Sequence, residues 1–189
     1  MTTHTIWKHA GKILLGAALL GALGTVWEGL DWFAPEPVSA QGVIVPWTAV
    51  GASGTVDEGS IAAFGFTNAS AGYAAIAALS PLEFRYNVTN TFDNSTLGPN
   101  IPGWTTLELG AQAPGASSVT AALFRVARCT GKRTLICSVR IVQATTGVCK
   151  VCTFANTAVN FTADLFYVDA TVARSTPSEQ PFLHTLRIF

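Results

Sequence analysis

VTAALFRVARCTGKRTLICSVRIVQATTGVCKVCTF, residues 119–154, is the stretch whose reading decides the fold. It opens with an apolar run of β propensity that ends near Arg128, followed by a turn at Thr130-Gly131-Lys132-Arg133. From Thr134 to Gln143 the residues alternate. Leu135, Cys137, Val139 and Ile141 share one face, and Thr134, Ser138 and Arg140 share the other, as a half-buried strand requires. Ala144-Thr145-Thr146-Gly147 is then read as a second turn leading into a strand from Val148 to Phe154. The stretch is therefore expected to form two consecutive hairpins.

The same alternation recurs on both sides of it. Leu82, Phe84, Tyr86 and Val88 lie on one face of a strand whose other face carries Glu83, Arg85, Asn87 and Thr89. Phe166, Val168, Ala170 and Val172 oppose Tyr167, Asp169 and Thr171 in the same way. Weaker strand signals lie at Val43-Ile44-Val45, from Ile61 to Phe66, from Gly72 to Leu79, from Trp104 to Leu109 and from Phe182 to Phe189. Residues 90–103 and 110–118 read as loops. About ten short strands with turn signals between them, and no long amphipathic helix, predict an all-β fold: an antiparallel β-sandwich of jelly-roll type.

The chain has 189 residues, 49% of them hydrophobic and 12% charged, which is ample for one core and argues against intrinsic disorder. Lys8, His9 and Lys12 precede an apolar run from Ile13 to Val26. That length suits an export signal and is short of the roughly 20 residues of a membrane span. Cleavage is expected after Ala40, with Gly24 as the alternative site. Residues 1–40 are assigned to the signal and a stiff Ala34-Pro35-Glu36-Pro37 linker, and residues 41–189 to a single sandwich domain, secreted or at the cell surface. A membrane contact would arise only if Ile13 to Val26 were retained as an anchor.

Cys129, Cys137, Cys149 and Cys152 form an even set in a chain expected to be exported, so two disulfides are expected. A tight turn at Gly131-Lys132 places Cys129 opposite Thr134, and a turn at Thr145-Thr146 places Cys152 opposite Val139, one alternate residue from Cys137. Of the three connectivities, Cys137 with Cys152 and Cys129 with Cys149 is favoured. The spacing lacks the second close pair of a zinc ribbon, and Thr153 stands where haem attachment needs His, so no metal or cofactor is expected.

A phosphate loop, an EF-hand loop and a nucleophile elbow are all missing from the sequence. His184 is the one histidine beyond residue 40, and it is read in phase with Phe182, Leu186 and Ile188. An enzyme is therefore not the first reading. Residues 90–103 bring Asn90, Asp93, Asn94 and Asn100 next to Trp104, the polar groups and aromatic ring that sugar recognition uses. The competing account is a solvated connection with Trp104 in the core. Arg125, Arg128, Lys132, Arg133, Arg140 and Lys150 form a candidate basic face, uninterrupted by acid between Glu108 and Asp164. This pattern is too sparse for a nucleic-acid binder and suits an acidic surface partner.

The rhythm of the last third, a strand holding Tyr167 and Val168, a polar loop, and a closing strand ending Leu186-Arg187-Ile188, resembles secreted bacterial jelly-roll modules of the lectin-like or appendage type. The resemblance covers about seventy residues and has no diagnostic motif. It implies a non-catalytic module that binds a surface or glycan. The alternatives are a structural subunit of a surface layer or filament, assembling through the strand from Phe182 to Phe189 or another open edge, and, last, a secreted hydrolase.

Overall fold

Period-two patterning at Leu82–Val88 and Asp164–Ala173 gives two strands that pair antiparallel over their whole common length, Leu82 with Val172 through Val88 with Phe166. The computed structural model describes residues 45–74 and 77–189. The expected signal segment, its cleavage sites and Val43-Ile44 lie outside those residues. Among the described residues there are nine strands: β1 (Trp47–Val50), β2 (Thr55–Val56), β3 (Phe64–Thr67), β4 (Ser70–Tyr73), β5 (Leu82–Val88), β6 (Thr106–Ala127), β7 (Arg133–Thr153), β8 (Asp164–Ala173) and β9 (Phe182–Ile188). All pairings are antiparallel. Among the described residues no helix is long and apolar enough to cross a membrane.

β6 and β7 give the fold its shape. The second half of β6 pairs with β8, continuing the β2-β5-β8 ladder, while its first half pairs with β9, which in turn meets β1 and β4. β7 follows β6 through both halves. One long hairpin therefore belongs to two layers, β2-β5-β8-β6-β7 and β7-β6-β9 with β1, β4 and β3. Its bend falls where the register slips between Ala111 and Ser118, at Pro114 and at Gly115, whose φ is +62°. On β7 the bend is matched by Gln143 at φ +54°.

This corrects the predicted pair of hairpins. Residues 110–118 and 144–147 were expected to be loop and turn, because Pro, Gly and Thr-Thr-Gly are turn signals. They are the folded corner of a continuous ladder, since bulges let a strand turn without giving up its partner. Three other predicted strands shift. The first begins at Trp47, after Val45 and Pro46. The run at 61–66 becomes β3, which starts three residues later and ends one later. The ambiguous run at 72–79 is β4, which starts earlier.

Inside lie Leu82, Phe84, Val119, Leu123, Ile141 and Val172, with Leu107, Leu109, Leu183, Leu186 and Ile188 from the other layer, all fully or almost fully buried. Polar groups held within this core find carbonyl partners. The Tyr86 hydroxyl donates to the Gly51 carbonyl at 2.6 Å, and burial pushes its pKa well up. Arg174, 5% exposed, donates from Nε to the Ala78 carbonyl at 2.8 Å and lies 4.0 Å over the Tyr73 ring. At the corner, the Glu179 carboxylate accepts from the backbone N–H groups of Ala116 (2.6 Å) and Ser175 (2.7 Å).

β9 also departs from expectation. It is paired on both flanks, by β6 and by β1 with β4, so the terminal strand is interior. Among the described residues β7 pairs only with β6. A bulge at Gly110/Ala111 breaks the predicted phase of β9 as well, burying Leu183 in place of Phe182 and leaving His184 on the outer side.

Candidate functional site

The outward positions of β5, β8, β6 and β7 make one surface, and the ladder registers place its side chains in rows. Asn87, Tyr167, Phe124 and Leu135 form one row, and Arg85, Asp169, Ala122 and Ser138 the next. The Phe124 and Tyr167 rings stack, with centroids 5.4 Å apart and planes 22° from parallel.

Arg133 reaches this face because of a bulge. Leu123 pairs with Cys137 and Phe124 with Leu135, which leaves Ile136 as an extra residue in β7. Side chains on the two sides of that residue change parity. Leu135, predicted to face the core with Cys137, is 53% exposed instead, and Arg133 turns outward with it.

The guanidinium of Arg133 lies 3.7 Å over the Phe124 ring and 5.7 Å from the Tyr167 ring, while that of Arg85 lies 4.6 Å over Tyr167. Asp169 bridges the two cations: Oδ1 accepts from Arg85 Nε at 2.9 Å, and Oδ2 sits 3.2 Å from an Arg133 Nη. The bond to Asp169 raises the Arg85 pKa. Partial burial and the Asp169 charge raise that of Tyr167, against the opposing pull of Arg133 and Arg85. Two grooves of about 390 and 370 Å³ share Glu83, Arg85 and Asp169. The first is walled by Asp57 and Glu58, and the second by Phe124 and Arg133. A sheet face with a partly exposed aromatic pair, fixed donors and acceptors and two shallow grooves is suited to an extended ligand lying across strands.

The residues predicted from the loop are not part of this surface. Trp104 is fully buried; its indole N–H donates to the Val45 carbonyl at 3.1 Å and its ring meets Phe161 edge-on. A ring with no exposed face has nothing to offer a sugar, so the core account of Trp104 replaces the binding one. Asn90 donates from Nδ2 to Asp93 at 2.6 Å, Asp93 accepts from the Asn100 N–H at 2.9 Å, and Asn94 Oδ1 accepts from the N–H groups of Thr96 and Leu97. These side chains hold the loop's own turns.

The six basic residues do not converge on one patch. Arg133 and Arg140 point outward on β7. Arg125 lies 3.7 Å from Asp164, Arg128 donates to the Thr162 carbonyl at 2.7 Å, Lys132 is in the exposed turn, and Lys150 is in the other half of β7.

Cys137 and Cys152 are bonded, with Cα atoms 6.1 Å apart, whereas Cys129 and Cys149 are free and exposed. The second predicted disulfide is thus absent. Cys129 follows the end of β6 at the hairpin tip, while Cys149 stands opposite Gly110 in the other layer. His184 Nδ1 is 2.7 Å from Ser70 Oγ, and burial lowers its pKa. Asp164 and Asp169 are ion-paired to arginines. Among the described residues no cluster of three His, Cys, Asp or Glu side chains has metal-binding geometry.

No protein-family model matches the chain, and no curated protein does. Solved structures that match include the CBM36-1 domain of a multidomain xylanase from the hindgut metagenome of Trinervitermes trinervoides, at 10% identity and a TM-score of 0.45, covering 77% of this chain and 97% of that one. A xylan-binding module, CBM15, matches at 13% identity and a TM-score of 0.45, covering 76% and 95%. A family 35 carbohydrate-binding module from Clostridium thermocellum matches at 11% identity and a TM-score of 0.40, covering 77% and 98%. At these values the likeness assigns neither a family nor a ligand to this chain.

Proposed function

We propose that this chain is a non-catalytic, extracellular or cell-surface β-sandwich protein that binds a glycan, and that the outer face of β5, β8, β6 and β7 is where it does so. The observation that carries the reading is the stacked pair Phe124 and Tyr167, partly exposed on the outer side of the sheet and framed by Arg85, Arg133 and Asp169. Aromatic faces take the apolar side of a pyranose, and the charged groups at ring height take its hydroxyls. Export is supported by the apolar run from Ile13 to Val26 that follows Lys8, His9 and Lys12 in the sequence.

A carbohydrate array tests the reading. The mature chain binds at least one plant or microbial polysaccharide, and Tyr167→Ala weakens that binding at least about tenfold, some 1.4 kcal/mol. Asp93→Ala leaves binding in place, because Asp93 serves its own loop. An array with no binding at all contradicts the proposal.

The second reading, a subunit that assembles edge to edge, is favoured by the 21-residue edge of β7, which carries the exposed side chains of Leu135, Val142 and Val151. It ranks lower, since Arg133, Arg140 and Lys150 and two distortions at Ile136 and Gln143 protect that edge in the way sheet proteins resist pairing. Species that grow with protein concentration on size-exclusion chromatography would support assembly; a monomer throughout would remove it.

A further inference from the structure

The geometry points to a ligand that carries a carboxylate: a uronic acid residue of a polysaccharide, held by Arg85 and Arg133. This rests on the glycan reading and names the class of sugar. Asp169 neutralises one of the two guanidiniums it bridges, so the trio keeps one positive charge in excess. Among the described residues neither arginine forms a hydrogen bond or ion pair with any group but Asp169. Each uses one nitrogen there, Nε of Arg85 and one Nη of Arg133, and the remaining N–H donors of both have no acceptor on the protein. Their side chains stay 56% and 50% exposed, while that of Asp169 is 25% exposed. The donors thus lie above the acid that positions them.

The rings make the same argument from the other side. Arg133 lies 3.7 Å over Phe124 and Arg85 4.6 Å over Tyr167, so a sugar seated against the pair brings its substituents within reach of guanidinium. A guanidinium packed over an aromatic ring keeps N–H donors in a planar fork, which a planar carboxylate fits in bidentate fashion. Arg140 adds a further exposed cation two rows along β7. At the β2 side of the face Asp57 and Glu58 line the adjoining groove, and Glu83 lines both grooves. Charge therefore runs from acidic to basic across the sheet. A uronate would lie with its carboxylate toward Arg133 and its hydroxyls donating toward Glu83.

Isothermal titration with galacturonic acid oligosaccharides, their methyl esters and neutral xylo-oligosaccharides tests this. The acid form is expected to bind at least about tenfold more tightly than its ester, with the advantage shrinking as salt rises. Arg133→Gln and Arg85→Gln should remove that advantage, and Tyr167→Ala should weaken all ligands alike; circular-dichroism melts confirm that each variant is folded. Arg140→Gln, outside the Asp169 cluster, should reduce the advantage only in part. Equal binding of acid and ester, still dependent on Tyr167, would overturn the inference and leave the glycan reading standing. No binding of any of the sugars, together with a blank polysaccharide array, would overturn both.

Discussion

Arg133 has the sequence parity of Cys137, Val139 and Ile141, all of which face the core. Ile136, inserted by the bulge, reverses that parity and delivers the guanidinium to the outer face over Phe124. No local pattern marks the insertion, because a bulge is defined by the partner strand. Glu179 is a second case of a residue whose role lies across the fold. Its carboxylate accepts from Ala116, Ser175 and Thr176, and those bonds, with the Ser175 N–H first, lower its pKa below the ordinary glutamate range. A carboxyl with a lowered native pKa stabilises the fold at pH values above its unfolded one, and that contribution is lost as the pH falls through the native value. Stability should therefore decline below about pH 4 with a contribution from this residue. Glu179→Gln should lower stability at neutral pH and flatten that part of the profile, as followed by chemical denaturation across pH; an unchanged profile would mean that the corner does not depend on the charge.

At the scale of elements, β5 and β8 were readable because each alternates cleanly, and their outward residues Glu83, Arg85, Asn87, Tyr167, Asp169 and Thr171 are where the alternation puts them. What the alternation does not encode is which strands lie side by side. Phe124 and Tyr167 are 43 positions apart in number and become neighbours only through the β6–β8 register. The β6–β7 hairpin was read as two units for the same reason: Pro114-Gly115 and Thr146-Gly147 carry the chemistry of turns, but long-range pairing overrides it. The Cys137–Cys152 bond shows the consequence. Fifteen residues of straight strand would separate the two cysteines by ~50 Å, yet their Cα atoms are 6.1 Å apart, so β7 folds back on itself and the bond closes the open edge between layers. Closing a loop of that length is worth about 3 kcal/mol in the chain-entropy account. Cys152→Ser should lower the unfolding free energy by roughly that amount in urea, and Cys129→Ser should leave it unchanged, since Cys129 is free and exposed. Equal effects of the two would contradict the pairing.

Over the whole molecule, the two layers assign different tasks to their outer surfaces. The β9 layer buries its terminal strand between neighbours and turns out His184 bonded to Ser70. The β5-β8-β6-β7 layer turns out rings and charges in register, with acid at the β2 side and base at the β7 side. The uneven distribution of charge along the sequence, a net −4 over residues 41–120 from one basic and five acidic residues and a net +5 over residues 121–189 from eight basic and three acidic, becomes in part a gradient across this face. The loop at 90–103 and Trp104, which looked in sequence like the sugar site, instead hold turns and core. The most direct test of the central claim is to follow backbone and side-chain NMR shifts while titrating a polysaccharide fragment that the array identifies. The outer-face account predicts perturbations centred on Arg85, Phe124, Arg133, Tyr167 and Asp169, with Asn90, Asp93, Asn94 and Asn100 unmoved. Shifts confined to those loop residues, with the sheet face silent, would contradict it.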